Sequence, residues 1–206
     1  MLLLINWGEA LLLTFIEMNK DLAREVEIPE GVSVVVSGND VVVKGGDKEL
    51  KRSFDVGKVG VKVDGSKVVL SVKGATRRES KMIGTIWAHL KNMVKGVGEN
   101  FVYELEVCNV HFPMQVTIVK DSGVRNQDSE KVVIKSFLGE TTERVARVMA
   151  GADVDIKGNK ITVSSHDIEA AGQTAANLEK ATRLTGRDRR IFQDGIFITK
   201  KPYRTI

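Results

Sequence analysis

The chain has 206 residues, 42% hydrophobic, 28% charged and 5% aromatic, with a formal net charge of +4. That describes a globular chain with room for two modest domains, and its single cysteine excludes a disulfide framework, so a reducing compartment fits best. From Arg183 to Ile206 seven basic residues face Asp188 and Asp194, a net +5, so the other 182 residues sum to −1; such a basic end points to a polyanionic partner met by one surface.

Residues 1–23 read as an extension. Met1-Leu2-Leu3-Leu4-Ile5 and Leu11-Leu12-Leu13-Thr14-Phe15-Ile16 are apolar, but Glu9 interrupts them and no lysine or arginine precedes them. Neither a signal peptide nor a spanning helix fits, and no membrane partner is expected. An upstream start codon ahead of Met18 is one reading, and a short apolar helix packed on the first domain is the alternative.

The first domain, 24–99, opens with Val32 to Ser37 and Asp40 to Lys44, β-branched runs around Gly38-Asn39 that predict a hairpin. Gly45-Gly46-Asp47 turns the chain and Glu49 to Phe54 continues as a strand. A second hairpin, Val61 to Ser71, alternates apolar and polar residues about Gly65-Ser66, with glycine at the first turn position, where φ must be positive. From Glu79 to Val97, Met82, Ile83, Ile86, Trp87, Leu90 and Met93 fall on one stripe, with Val94 and Val97 completing it. This predicts an amphipathic helix that Gly96 and Gly98 stop.

The second domain, 100–186, repeats the first. A shift of 93 residues carries Gly65 onto Gly158 and the hairpin Val61 to Ser71 onto Val154 to Ser164. A shift of 88 carries Gly84 onto Gly172, and one of 91 carries Val41 onto Val132. The first copy therefore holds five extra residues between hairpin and helix, near Gly74 to Arg78. Strands are expected at Val102 to Val107, Met114 to Val119, Lys131 to Phe137 and Arg144 to Met149, with a polar loop from Ser122 to Glu130 and a turn at Leu138-Gly139-Glu140. Ser165-His166-Asp167 caps a helix from Ile168 to Leu184. Ile168, Ala171, Ala175 and Leu178 face inward, and the alanines imply a closer approach to the sheet than in the first copy. The fold class is α+β: two tandem copies of a small antiparallel sheet with one helix packed on one face. After Gly186 the repeat has no counterpart. Residues 187–206 read as a basic C-terminal tail in which Ile196-Phe197-Ile198 is the last strand.

No active site is visible. Cys108 and His111 form a lone Cys-x-x-His pair, without partners for a zinc site, and read as a strand thiol beside a satisfied histidine. No phosphate-cradling glycine loop with its lysine is present, so no cofactor or metal is expected. The basic residues carry more. Arg187, Arg189, Arg190, Lys200, Lys201 and Arg204 have the density expected of phosphate contacts, arginine being favoured for its forked donors. Between Lys73 and Lys95 six cations face Glu79 alone; Arg77, Arg78 and Lys81 form a second group toward RNA or a neighbouring protein, while Lys91 and Lys95 read as a solvated helix face. Phe192 reads as core, and Tyr203 as either core or a surface on which bases stack.

Several segments then resemble the large-subunit ribosomal protein six family in its archaeal and eukaryotic branch. They are Ile28-Pro29-Glu30-Gly31-Val32, Trp87 to Val97, Val110-His111-Phe112-Pro113, Phe137-Leu138-Gly139-Glu140 and Asp188 to Ile196. The resemblance covers about residues 20 to 200. It implies a non-catalytic protein, monomeric within the cytoplasmic ribosome, that binds large-subunit rRNA near the sarcin–ricin loop and the base of the factor-recruiting stalk. It also implies neighbouring ribosomal proteins of the stalk base as partners, with the second domain making most of the RNA contact. Gly186 to Arg190 sits where bacterial members have a glycine- and lysine-rich RNA loop; here arginines replace the lysines. The alternative is a protein–protein scaffold at the stalk base with incidental RNA contact. A hydrolase or transferase has only Asp153, Asp155, His166 and Asp167 to draw on, with no supporting motif.

Overall fold

The structure is a computed structural model that describes residues 20–46, 48–121 and 129–205. The extension ahead of Lys20, the question of Met1 or Met18, and most of the polar loop from Ser122 lie outside the described residues. The chain divides into two compact units, Met1–Gly98 and Glu99–Ile206.

In the first unit β1 (Lys20–Glu27) pairs with β6 (Lys67–Ala75), which pairs with β5 (Gly60–Asp64). A separate ladder joins β2 (Val32–Ser37), β3 (Asp40–Gly45) and β4 (Lys48–Ser53). α1 (Arg77–Gly98) packs on both, closing a core that includes Val43, Val68, Leu70, Ile83 and Leu90, all at most 1% exposed. The two hairpins turn on Gly38 and Gly65, with φ of 63° and 54°, while Asn39 and Ser66 keep negative φ. That is the arrangement of a type II′ turn, whose twist matches the strands it joins.

The second unit repeats the order. β7 (Phe101–Cys108), β12 (Lys160–Ser165) and β11 (Ala152–Lys157) correspond to β1, β6 and β5, and β8 (Gln115–Asp121), β9 (Ser129–Lys135) and β10 (Arg144–Arg147) to β2, β3 and β4. α2 (Ile168–Ala181) covers the core. β13 (Gly195–Lys201) and β14 (Arg204–Thr205) then extend the sheet past β7, giving the order β11-β12-β7-β13-β14.

Several expectations change. Lys20 to Glu27, partly assigned to an extension, is a full strand of the first sheet; its charged residues hide it, because from Asp21 to Glu27 only Val26 is buried. Residues 187–206 are no separate tail, since β13 pairs with β7 over most of its length and Ile196 is fully buried. Gly96 does not stop α1 but lies buried inside it. The helix also begins two residues before Glu79. Glu79 reaches back to Thr76 there, its carboxylate accepting both the Thr76 amide and the Thr76 hydroxyl, the carboxylate half of a capping box. α2 ends at Ala181, not Leu184, and buries Ala170 and Thr174 where Ile168 is only half-buried. The five extra residues of the first copy divide in two. β6 and its connection supply two, and α1 supplies three, because Gly84 lies seven residues into α1 and Gly172 only four into α2.

Candidate nucleic-acid interface

The arginines of the second unit sit on a loop whose two ends are tied down. Thr182, the C-cap of α2, is 4% exposed, and its hydroxyl accepts the amide of Ile196 at 3.0 Å, joining helix end to strand start. At the far end Asp194 is 1% exposed. Its Oδ1 accepts the amides of Val110 at 2.7 Å and His111 at 2.9 Å, and its Oδ2 lies 2.6 Å from His111 Nδ1. Burial works against the charge on Asp194, but the amide and ring of His111 and the amide of Val110 outweigh it and hold the carboxyl below its usual range.

Arg144 fixes the beginning of the same loop. Its guanidinium makes a fork with Glu140, Nε to Oε2 at 2.8 Å and Nη2 to Oε1 at 2.7 Å. Nη1 donates to the carbonyls of Ala181 at 2.9 Å and Arg183 at 3.2 Å, acceptors that the helix end leaves over. The guanidinium also lies 4.3 Å from the Phe137 ring centroid. Glu140 reaches Arg144 because the 3-10 turn Phe137–Gly139 is held with Ser136 and Leu138 at φ of 58° and 50°, a costly conformation for side chains offset here by complete burial of Phe137.

Between these ties Arg183, Arg187, Arg189 and Arg190 are all exposed. Arg187 rests on Phe192 at 4.9 Å, and Phe192 in turn stacks on His111 with ring centroids 4.9 Å apart. Phe192 therefore packs against the core, as expected. Arg190 pairs with Asp188 at 3.0 Å. Among the described residues Arg189 has no ion pair. Asp194 and Thr182 were not singled out from sequence, although Asp194 stands inside the segment Asp188 to Ile196 that carried the resemblance.

The other candidates lie elsewhere. Lys200, Lys201 and Arg204 flank the β13–β14 turn, at the opposite end of a seven-residue strand from the arginine loop, roughly 20 Å away. The fold does not gather the six cations into one cluster. A β-bulge at Thr199 puts Lys200 opposite Glu104, on the face away from buried Leu105, and the two side chains pair at 2.8 Å. Tyr203 is 58% exposed and meets Phe101 edge-on, so it is a half-covered surface ring. In the first unit Arg77, Arg78 and Lys81 are exposed within the first five residues of α1 and form no ion pair among the described residues. Cations there oppose the helix dipole, and only Glu79 offsets them.

Two of the four residues on which a hydrolase or transferase would draw have structural partners. Asp167 caps α2 by accepting the Glu169 amide at 2.9 Å, and Asp155 pairs with Lys157. No group of three or more metal-ligating side chains occurs among the described residues.

A family model described as Ribosomal protein L6 matches residues 28–100 and 112–195. The chain belongs to the ribosomal protein L6 family. It is 43% identical to the large ribosomal subunit protein uL6 of Methanococcus vannielii over 180 residues, 87% of this chain and 94% of the relative. The proteins of the same name from Methanobrevibacter smithii and Haloarcula marismortui are each 41% identical over 87% of this chain and 96% of their own length. As an L6-family member the chain is a structural ribosomal protein, not an enzyme, and the relatives that it matches are proteins of the large ribosomal subunit. The family match takes in the whole arginine loop and α1; Lys200, Lys201 and Arg204 lie beyond it.

Proposed function

We propose that the second unit grips large-subunit rRNA through Arg187, Arg189 and Arg190 at one end of β13 and Lys200, Lys201 and Arg204 at the other. Arg77, Arg78 and Lys81 make a separate contact to RNA or a neighbouring protein. The observation that carries this reading is the loop from Arg183 to Arg190, which exposes four guanidinium groups on a base held by Thr182, Asp194 and Arg144. Cations held in place lose little freedom when phosphates arrive, and forked donors suit phosphate oxygens. The site on the subunit is near the sarcin–ricin loop and the base of the factor-recruiting stalk, a reading supported by the family resemblance. There the protein serves as a rigid mount beside the GTPase-binding surface.

Binding of the pure protein to deproteinised large-subunit rRNA at several salt concentrations tests this. Joint replacement of Arg187, Arg189 and Arg190 by glutamine should weaken binding and reduce the slope of log affinity against log salt by about two. An unchanged slope would remove the loop from the interface.

A further inference from the structure

We propose that the cleft of about 770 Å³ beside the arginine loop seats an unpaired rRNA nucleotide, base inward and phosphate at the rim. This rests on the phosphate-binding reading above and adds what lies between the phosphates. The half-buried Leu184, Phe192 and Phe197 give the cleft an apolar lining, which is what the face of a base needs. Cys108 and Gln193 add polar atoms for a base edge. The rim carries Lys180, Arg183 and Arg189 against Glu179; Asp194 also borders the cleft, but its oxygens already hold Val110 and His111. The volume falls within the roughly 300–1,000 Å³ of small-molecule sites.

Two alternatives fit these features less well. A paired RNA helix keeps its bases stacked and its major groove too narrow for side chains, so it cannot fill an apolar cleft. An apolar peptide would cover three cations while giving them no counter-charge, which is costly. A nucleotide satisfies lining and rim together. Apolar surface continues past the cleft, where Val110 at its edge is 60% and Ile191 63% exposed.

Cys108 is the only cysteine of the chain and lines the cleft, so it reports occupancy directly. Burial, helped by Glu106 and Asp194, pushes its thiol up, so alkylation is best followed at mildly alkaline pH. The rate with N-ethylmaleimide is measured for the full chain alone, with deproteinised large-subunit rRNA, and with a fully paired RNA duplex at equal saturation. The rRNA should slow the reaction at least about tenfold, while the duplex leaves it unchanged. Ala176 also lines the cleft, from the exposed side of α2. Ala176→Trp should fill the space and lower rRNA affinity about tenfold, the size of one stacking contact, with the salt slope intact because no phosphate contact is touched.

If Cys108 in an rRNA complex with the full salt slope reacts as fast as in free protein, the cleft is empty. The nucleotide proposal then falls while the phosphate reading stands. Protection in intact large subunits but not by rRNA would assign the cleft to a protein segment and likewise overturn the proposal. Absence of salt-dependent rRNA binding would remove both readings.

Discussion

Trp87 donates its indole Nε1 hydrogen to the carbonyl of Glu25 at 2.9 Å, closing in the first unit a position that an extra strand covers in the second. Glu25 lies opposite Val69 and Glu104 opposite Thr162, and the hairpin shift of 93 carries Val69 onto Thr162. The two glutamates are thus equivalent. The Glu104 carbonyl accepts the Thr199 hydroxyl at 3.0 Å, from the bulge of β13. One duplicated acceptor is met by a helix side chain in one copy and by a strand side chain in the other.

Trp87→Phe should therefore destabilise the first unit by about 1 kcal/mol, the usual net worth of one hydrogen bond. Arg24 and Lys91 lie over the Trp87 ring at 5.3 and 5.1 Å, and phenylalanine retains part of that attraction. Thermal unfolding and the exchange of β1 amides check this. Full stability in the variant would mean that water replaces the indole without loss.

The helix glycines make a matched pair. Gly84 lies over Arg24 and Gly172 over Tyr103, again equivalent strand positions. A Cβ at Gly84 would come no nearer than 4.0 Å to the Arg24 guanidinium, whereas at Gly172 it would stand 3.0 Å from the Tyr103 hydroxyl. Neither glycine has a positive φ. Gly84→Ala should stabilise the protein by about 0.5–1 kcal/mol through helix propensity, and Gly172→Ala should gain less or turn destabilising as Tyr103 is displaced. Equal melting shifts for the two variants would contradict the closer approach in the second unit.

Periodicity made the hairpins and both helices legible, because Gly38, Gly65 and Gly158 mark the turns and apolar residues alternate around them. It was blind to β1, where Lys20, Asp21, Arg24, Glu25 and Glu27 break the alternation and only the register with β6 makes a strand. The place of β13 could not be read either, since the repeat supplies no partner for it and its pairing with β7 spans almost ninety residues of chain. Of the site, the exposed cations were visible from charge density alone. Their supports were not: Arg144, Thr182 and Asp194 act through contacts that only the fold brings together. The separation of Lys200, Lys201 and Arg204 from the arginine loop was hidden for the same reason.

Asp194 should make the second unit acid-sensitive. Its carboxyl is held below the usual range in the folded protein, so on acidification the unfolded chain takes up the proton first. The stabilisation is complete above about pH 4, the ordinary carboxylate value, and is lost as pH falls through the lowered folded value. Asp188 and Glu140 are shifted the same way by their arginine partners, so they contribute equally to wild type and to an Asp194 variant. Asp194→Asn should cost about 2 kcal/mol at neutral pH, from the lost charge on its hydrogen bonds. Unfolding curves of wild type and variant should converge toward pH 2. Parallel curves across that range would show that Asp194 gains nothing from its ionised form.

Arg144 is where stability and the candidate interface are most tightly joined. Its guanidinium holds Glu140, two carbonyls at the end of α2 and the face of Phe137 at once, while only 23% of the side chain is exposed. A lysine can supply charge but not a planar fork reaching three acceptor groups in different directions. Arg144→Lys should therefore lose most of what Arg144→Met loses, about 2–3 kcal/mol of unfolding free energy. The loop from Arg183 would then keep Thr182, Asp194 and the packed Phe192 as ties but lose the one at its start. Affinity for rRNA should drop several-fold with the salt slope preserved, because the phosphate-facing arginines remain but start from a looser arrangement. Full rescue by lysine would reduce Arg144 to a simple charge at a helix end. A fall in the slope would instead make it a phosphate contact, which its packing beneath the loop argues against.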